Sequence, residues 1–178
     1  MILIVSTCSE PLHELEFVKP IEDILKENNI EYFIKNYKDV NNNDLNKANK
    51  IIICGTSLKD DEFIKDIEEF NWIKELKKPL LGICSGMQII GLIFESSLKK
   101  KQEIGFYNEY FSREFLGLKG EKQVYHLHNN YMTLPEDFGK YTNSDIPQAI
   151  KHRDKSIYGI LFHPEVRNKN LIIEFCIR

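Results

Sequence analysis

The sequence predicts a single α/β domain: a three-layer sandwich with helices on both faces of a mostly parallel sheet, and a small antiparallel layer beside it. Up to about residue 94, short apolar runs rich in branched residues alternate with amphipathic stretches, the order expected of β-α units. Beyond that point, Gly-containing aromatic segments are typical of antiparallel hairpins. No repeat or linker divides the 178 residues, so residues 1–178 are assigned to one domain.

The first half of the chain alternates predicted strands and helices. Each expected strand is short, apolar and bounded by polar residues, as in strands buried on both faces. The strands are placed at 2–6, 31–37, 50–54 and 79–83, and helices are expected over 12–29, 62–76 and 87–94. Pro20 is expected to kink or split the first helix, because proline lacks an amide hydrogen.

The second half is predicted to form a side layer and then to complete the sheet. Residues 95–131 combine Lys-rich, Gly-containing and aromatic pieces that favour hairpins over helices. A strand is expected at 157–162 after the turn 153–156, and a final helix over 168–177.

Charge and composition argue against several function classes. The net charge is -3, and 24 Lys and Arg residues are interspersed with 27 Asp and Glu residues, which favours neither a nucleic-acid surface nor a polybasic membrane anchor. No run approaches the roughly 20 apolar residues of a membrane span. The four cysteines form no Cys-x-x-Cys pair, and no export signal is seen, so free thiols in the cytoplasm are expected.

The segment GICSGMQIIG, residues 82–91, places a cysteine between two glycines at the step from a strand into a helix. In such a nucleophile elbow, Gly82 and Gly86 are needed because a Cβ there would collide with neighbouring elements. The helix after Cys84 points its free N–H groups at the sulfur, which favours the thiolate, and the Ser85 N–H is placed to serve as an oxyanion donor. An ordinary buried thiol is an equally good interpretation of this motif alone.

The segment YGILFHPEV, residues 158–166, ends a predicted strand with a histidine and a glutamate two residues apart. Extended backbone turns His163 and Glu165 to the same face, so Glu165 can orient the imidazole toward a nucleophile. An exposed His-Pro-Glu turn is the alternative interpretation. Because parallel strands deliver their carboxyl ends to one edge of a sheet, the two motifs together predict a site that joins Cys84 to His163.

Four segments resemble the class I, or triad, glutamine amidotransferases: LLGICSGMQII, GILFHPEV, IIICGTS and YHLHNNYMTLPEDF. The resemblance runs from residue 2 to about residue 176 and implies a flavodoxin-like three-layer fold. It also implies that Cys84 is the nucleophile, that His163 is the general base and later the acid, and that Glu165 is the partner of the histidine.

The same resemblance implies an oxyanion and substrate site. Its residues would be Gly55, Thr56, Ser85, Gln88, His128, Asn129 and Asn130. Family members usually have Gly-Gly-Pro where this chain has Gly55, Thr56 and Ser57. A backbone shape that suits the second glycine suits a β-branched residue poorly, and loss of one oxyanion donor costs about 2.7–4 kcal/mol of barrier. Weak glutaminase activity without a partner is therefore expected.

The reaction implied by the resemblance is hydrolysis of glutamine to glutamate and ammonia through a cysteine thioester, without a cofactor. The chain has no P-loop and no dinucleotide-binding glycine motif, so ammonia would pass to a separate synthetase subunit. The segment SDIPQAIKHRDKSIYGILFHPEV is most similar to the amidotransferase subunit of two-subunit GMP synthases, which implies a partner of the ATP pyrophosphatase type. Two alternatives stay open: a γ-glutamyl hydrolase or peptidase that acts alone, and a catalytically weakened regulatory or binding subunit.

Two further features are considered separately from the proposed chemistry. His126 and His128 alternate on a predicted strand, but no carboxylate or cysteine follows at ligand spacing, so one buried histidine, one surface histidine and no metal site are predicted. A dense group of aromatic residues would mark a protein interface if exposed: Phe106, Tyr107, Tyr110 and Phe111.

Overall fold

The computed structural model describes residues 1–178 and contains nine strands. In chain order these are β1 (Ile2–Ser6), β2 (Tyr32–Asn36), β3 (Lys50–Ile53), β4 (Leu80–Ile83), β5 (Leu98–Phe115), β6 (Leu118–Met132), β7 (Phe138–Lys140), β8 (Ala149–His152) and β9 (Ile157–Ile160). Seven of them form one sheet in the order β2-β1-β3-β4-β9-β8-β7. The first five in that order are parallel, and β8 and β7 pair antiparallel at one edge, which confirms the mostly parallel sheet.

The predicted antiparallel side layer is one long hairpin, hereafter the ribbon, made of β5 and β6. The two strands pair along most of their length, with Glu103 opposite His128 and Gly105 opposite His126. The ribbon forms a sheet of its own, and an isolated bridge joins Phe111 to Thr142 beyond the end of β7.

Seven α-helices connect the strands: α1 (Glu14–Phe17), α2 (Lys19–Glu27), α3 (Asn42–Lys47), α4 (Glu62–Lys65), α5 (Trp72–Glu75), α6 (Ser85–Ile93) and α7 (Asn170–Ile177). The first predicted helix is split at Val18, and Pro20 lies in the first turn of α2, where a missing amide hydrogen costs nothing. The predicted helix over 62–76 is also interrupted. Asp66 leaves helical geometry there, and its carboxylate accepts a hydrogen bond from the Tyr37 hydroxyl at 2.6 Å.

The core lies on both faces of the sheet, as the apolar strands predict. Along β1, Ile2 and Ile4 pack into a cluster with α2 and α7, whereas Leu3 and Val5 pack into a second cluster with α6. This period of two places successive side chains on opposite faces. None of the helices combines the length and the apolar composition that crossing a bilayer requires.

The aromatic residues of the ribbon divide between core and surface. Phe106, Tyr107 and Tyr110 are exposed, whereas Phe111 is buried in the first cluster. The inference of a protein interface at the three exposed rings stays a prediction.

Candidate active site

Cys84 lies at the sharp turn between β4 and α6 with φ 51° and ψ -103°, a conformation that non-glycine residues rarely adopt. Both flanking glycines are at points of close approach. A Cβ on Gly86 would stand 2.5 Å from the Ile53 carbonyl oxygen, and one on Gly82 would stand 2.5 Å from the Gly86 backbone. The predicted elbow geometry is therefore confirmed.

His163 follows β9, the strand that pairs with β4, so the two motifs meet at the carboxyl ends of neighbouring strands. The backbone N–H of Cys84 donates to the Ile160 carbonyl at 2.8 Å, which locks the two strand ends together. The side chains of His163 and Glu165 are both buried, and Nδ1 of the imidazole donates to Glu165 Oε1 at 2.6 Å. The alternative of an exposed His-Pro-Glu turn is wrong.

The electrostatic surroundings favour a protonated imidazole at His163. Burial by itself lowers the pKa of His163, but the Glu165 carboxylate, followed by the Cys84 sulfur, more than offsets this effect. The net result is a pKa well above the usual range of histidine. Such a histidine can stabilise a thiolate beside it and later give up a proton.

Gly55 stands between the cysteine and the histidine. A Cβ added there would lie 2.8 Å from Cε1 of His163 and 3.3 Å from Cβ of Cys84. Nε2 of His163 is buried without a hydrogen-bond partner, while the Cys84 thiol lies 3.5 Å from the Leu127 carbonyl oxygen. The hydrogen bond of the thiol therefore runs to Leu127 and not to the imidazole.

A small open cavity lies above Cys84 and is lined mainly by polar groups. Its walls come from the loop after β3, the start of α6 and the end of β6. All the predicted oxyanion and substrate residues except Gly55 line it: Thr56, Ser85, Gln88, His128, Asn129 and Asn130. The polar lining is chemically suited to a small polar molecule.

Thr56 occupies its position without the strain expected of a β-branched residue. Neither Gly55 nor Thr56 has a left-handed φ, and the Thr56 hydroxyl donates to the buried Asp60 carboxylate at 2.7 Å. The same oxygen of Asp60 accepts the Ser9 N–H at 2.8 Å. Burial raises the pKa of Asp60, but these donors outweigh it and the net pKa is lowered. No spacing rule in the sequence singles out Asp60.

Two residues of the cavity lining, Thr56 and Ser85, have backbone N–H groups without a backbone partner. Thr56 lies outside helices and strands, and its N–H donates to no backbone carbonyl. Ser85 is the first residue of α6, where helical amides have no internal partner. Its hydroxyl donates to the Cys54 carbonyl at 3.1 Å and lies 2.9 Å from the Thr7 hydroxyl, which holds this end of the helix in place.

His126 and His128 differ from their sequence-based prediction. Both are buried, so the expectation of one surface histidine is wrong. A carboxylate is also present: Glu103 of the neighbouring strand lies opposite His128. Spacing along one strand cannot reveal a residue that the register of the ribbon brings into contact.

The fold and the site together define a class: α/β proteins with a cysteine on a strand–helix elbow, next to a histidine held by a carboxylate. A family model described as glutamine amidotransferase class-I matches residues 13–174. The chain belongs to this family.

Relatives by sequence carry two different names. A glutamine-hydrolyzing GMP synthase subunit of Methanosphaera stadtmanae is 39% identical over 100 residues, which cover 51% of this chain and 53% of that protein. Imidazole glycerol phosphate synthase subunit HisH 2 of Campylobacter jejuni is 34% identical over 149 residues, covering 68% of this chain and 73% of that protein. The match to GMP synthase of Spiroplasma kunkelii spans only 22% of that longer protein. The chain therefore covers less than two thirds of the length of these GMP synthase relatives.

Solved structures agree with the fold. A Thermoplasma acidophilum protein, described by its solvers as one subunit of a GMP synthase, superposes with a TM-score of 0.86 at 25% identity, covering 98% of this chain and 91% of that one. A glutamine amidotransferase from Thermotoga maritima gives a TM-score of 0.73 at 19% identity, covering 93% and 76% of the two chains, and shows the fold alone.

Proposed function

We propose that the chain hydrolyses glutamine to glutamate and ammonia through a Cys84 thioester and passes the ammonia to a separate synthetase subunit. The observation that carries this proposal is the meeting of Cys84, on its strained elbow, with His163 held by Glu165. The polar cavity above the thiol suits a small polar substrate. Membership of the amidotransferase family supports glutamine as that substrate.

In the proposed reaction, the Cys84 thiolate attacks the side-chain amide carbon of glutamine, and the free N–H groups of Ser85 and Thr56 stabilise the oxyanion. His163 gives its proton to the amide nitrogen as the C–N bond breaks, so ammonia leaves and a γ-glutamyl thioester remains. The neutral imidazole then takes a proton from the water that attacks the thioester. Glutamate leaves, and the Cys84 thiolate and the protonated His163 of the starting state are restored.

The wall that faces the substrate is held by amide side chains. Gln88 Nε2 donates to the Asn130 carbonyl at 3.1 Å, and Asn129 Nδ2 donates to the Leu58 carbonyl at 3.0 Å. These bonds join the end of β6 to α6 and to the loop after β3. We assign Gln88, Asn129 and Asn130 to the seating of glutamine.

Covalent labelling tests the proposed nucleophile. The glutamine analogue 6-diazo-5-oxo-norleucine should add one label to the protein, detected by intact mass, and Cys84→Ala should abolish it. Cys176→Ala is the matched control, because that thiol lies on α7 away from the cavity and its loss should leave labelling intact. Absence of label with and without a synthetase partner would favour a regulatory or binding subunit.

The relatives support a GMP synthase as the first synthetase partner to test. The proposal that this partner is of the ATP pyrophosphatase type rests on the sequence resemblance alone. The Campylobacter jejuni relative supports an imidazole glycerol phosphate synthase as the second partner to test. Its match covers more of both chains than the Methanosphaera stadtmanae match does. Glutaminase activity should be weak alone and should rise when the correct synthetase and its substrates are added. Full activity without any partner, extending to larger γ-glutamyl compounds, would favour a hydrolase or peptidase that acts alone.

A further inference from the structure

A second cluster of reactive side chains lies on the ribbon, apart from Cys84 and His163. Glu103 of β5 is opposite His128 of β6, and His126, two residues earlier, points to the same face. Both histidines are buried and Glu103 nearly so. One ligand atom from each of the three side chains lies within 4.8 Å of the other two.

One oxygen of Glu103 is the centre of this cluster. Oε2 lies 2.8 Å from Nδ1 of His126 and 3.2 Å from Nε2 of His128. Gln148 Nε2 donates to the same oxygen at 2.8 Å, while Oε1 of Gln148 is buried and unpaired.

The outer nitrogen of each histidine also faces an oxygen. His128 Nδ1 lies 3.2 Å from the Lys101 carbonyl, and His126 Nε2 lies 3.6 Å from Oε1 of the buried Glu109, beyond hydrogen-bond distance. Each ring therefore has acceptors at both nitrogens.

One cation faces the cluster from its edge: Lys101 Nζ lies 3.0 Å from Oε1 of Glu103, the oxygen turned away from the histidines. Burial lowers the pKa of His126, and it lowers the pKa of His128 to about 4, despite the opposing effect of Glu103. Three ligand atoms that share one small buried space can be bridged by a single cation.

We propose that Glu103, His126 and His128 form a binding site for one divalent transition-metal ion of the zinc type. Two imidazole nitrogens and a carboxylate oxygen are ligands that such ions prefer. The 2.8 and 3.2 Å separations approach the roughly 3.3 Å between ligand atoms that share a tetrahedral zinc at about 2.0–2.1 Å.

The surrounding groups fit this site. When Nδ1 of His126 and Nε2 of His128 bind the metal, the other nitrogen of each ring carries the proton. These two nitrogens face Glu109 and the Lys101 carbonyl. Metal-binding histidines commonly have such a carboxylate or carbonyl behind them. The unpaired Oε1 of Gln148 is available to a water on the metal. Residues 127–130 of β6 line the cavity above Cys84. An ion that joins β5 to β6 would therefore also stabilise this wall of the cavity.

The binding test uses a Cys84→Ser protein, because the Cys84 and His163 pair could itself hold zinc. Protein freed of metal by a chelator is dialysed against Zn²⁺ and analysed for bound metal, and Co²⁺ is bound in parallel to record its visible absorption. We expect one equivalent of metal. His126→Gln or His128→Gln should weaken binding more than about 100-fold, and Glu109→Gln should weaken it about 10–100-fold.

His152→Gln is the matched control, because His152 is a buried histidine that packs on Phe94 and Phe138, outside the cluster. It should bind the metal as the parent does. Equal binding by the parent and the His126 and His128 variants, or no stoichiometric binding by the folded parent, would overturn the proposal. If a variant fails to fold, as judged by circular dichroism, Co²⁺ bands typical of nitrogen and oxygen ligands in the parent decide the question. Their absence overturns the site.

Discussion

At the scale of single residues, Cys84 and His163 are held by different physical means. Cys84 is held by the backbone: its left-handed φ directs the side chain away from the path of the helix. His163 is held by a buried carboxylate, and its own N–H donates to the Tyr125 carbonyl at 2.8 Å. Substitutions at Glu165 should therefore change the charge state of the site more than its shape.

Glu165→Gln is expected to lower the pKa of His163, because Glu165 is the strongest of the groups that raise it. The imidazolium form supplies the proton to ammonia and is lost as pH rises through this pKa, so the alkaline limb of kcat/KM should move to lower pH in the variant. NMR titration of the His163 ring measures the pKa directly. Glu174→Gln, on the outer part of α7, is the control, and an equal pKa in wild type and Glu165→Gln would contradict the prediction.

Thr56→Gly is expected to lower the free energy of unfolding by about 1.5–3 kcal/mol, the usual contribution of a buried hydrogen bond to a charged group. The variant removes the donor at 2.7 Å from Asp60 and leaves that carboxylate with fewer partners. Urea unfolding measures the loss. Thr56→Ser retains the hydroxyl and should lose much less, whereas equal losses in both variants would assign the effect to packing.

At the scale of elements, the junction of β4 and α6 depends on glycines. Gly82 and Gly86 let the first turn of α6 lie directly against β3 and β4, which a side chain at either position would prevent. The same close packing brings Cys84 to the sheet edge where β9 ends.

Gly86→Ala is expected to cost about 3 kcal/mol or more, because the new methyl group meets the rigid backbone of Ile53 at 2.5 Å. Gly91→Ala is the matched comparison in the same helix. Its methyl group meets the end of the Met132 side chain, which can move, and alanine favours helix by about 1 kcal/mol. Urea unfolding of both variants should therefore show a clearly smaller loss for Gly91→Ala, and the opposite order would contradict this account.

At the scale of the whole molecule, the ribbon is bound into the main core. Phe111 and Phe115 of β5 pack into one cluster and Met132 of β6 packs into the other, so neither core is complete without the ribbon. The single-domain assignment of residues 1–178 implies that the ribbon and the sheet unfold together.

Thermal or urea unfolding is accordingly expected to be one cooperative transition. Far-UV circular dichroism reports on the whole chain, while fluorescence of Trp72, the single tryptophan, reports on α5 beside the second cluster. The two midpoints should coincide. A transition in circular dichroism that precedes the Trp72 signal would show that part of the chain, with the ribbon as the first candidate, unfolds separately.

Much of this architecture was predictable because its causes are local in the sequence. Buried parallel strands need continuous apolar runs, and the motifs at Cys84 and His163 follow two such runs, so their meeting at one edge follows from the topology. Pro20 likewise marked the split of the first helix. The interruption of the helix at Asp66 does not follow from the local pattern, and the hydrogen bond that Asp66 accepts comes from Tyr37, 29 residues away.

Only the tertiary structure decided which residues that are far apart in the chain come into contact. The register of the ribbon places Glu103 against His126 and His128, and the loop after β3 brings Asp60 under Thr56. Side-chain periodicity assigns a face but not the partner on the next strand, because that partner depends on how two strands align. The sequence by itself therefore determined the fold, the family and the glycine-flanked cysteine motif, whereas the raised pKa of His163 and the hydrogen bond that holds Thr56 came from the packing around them.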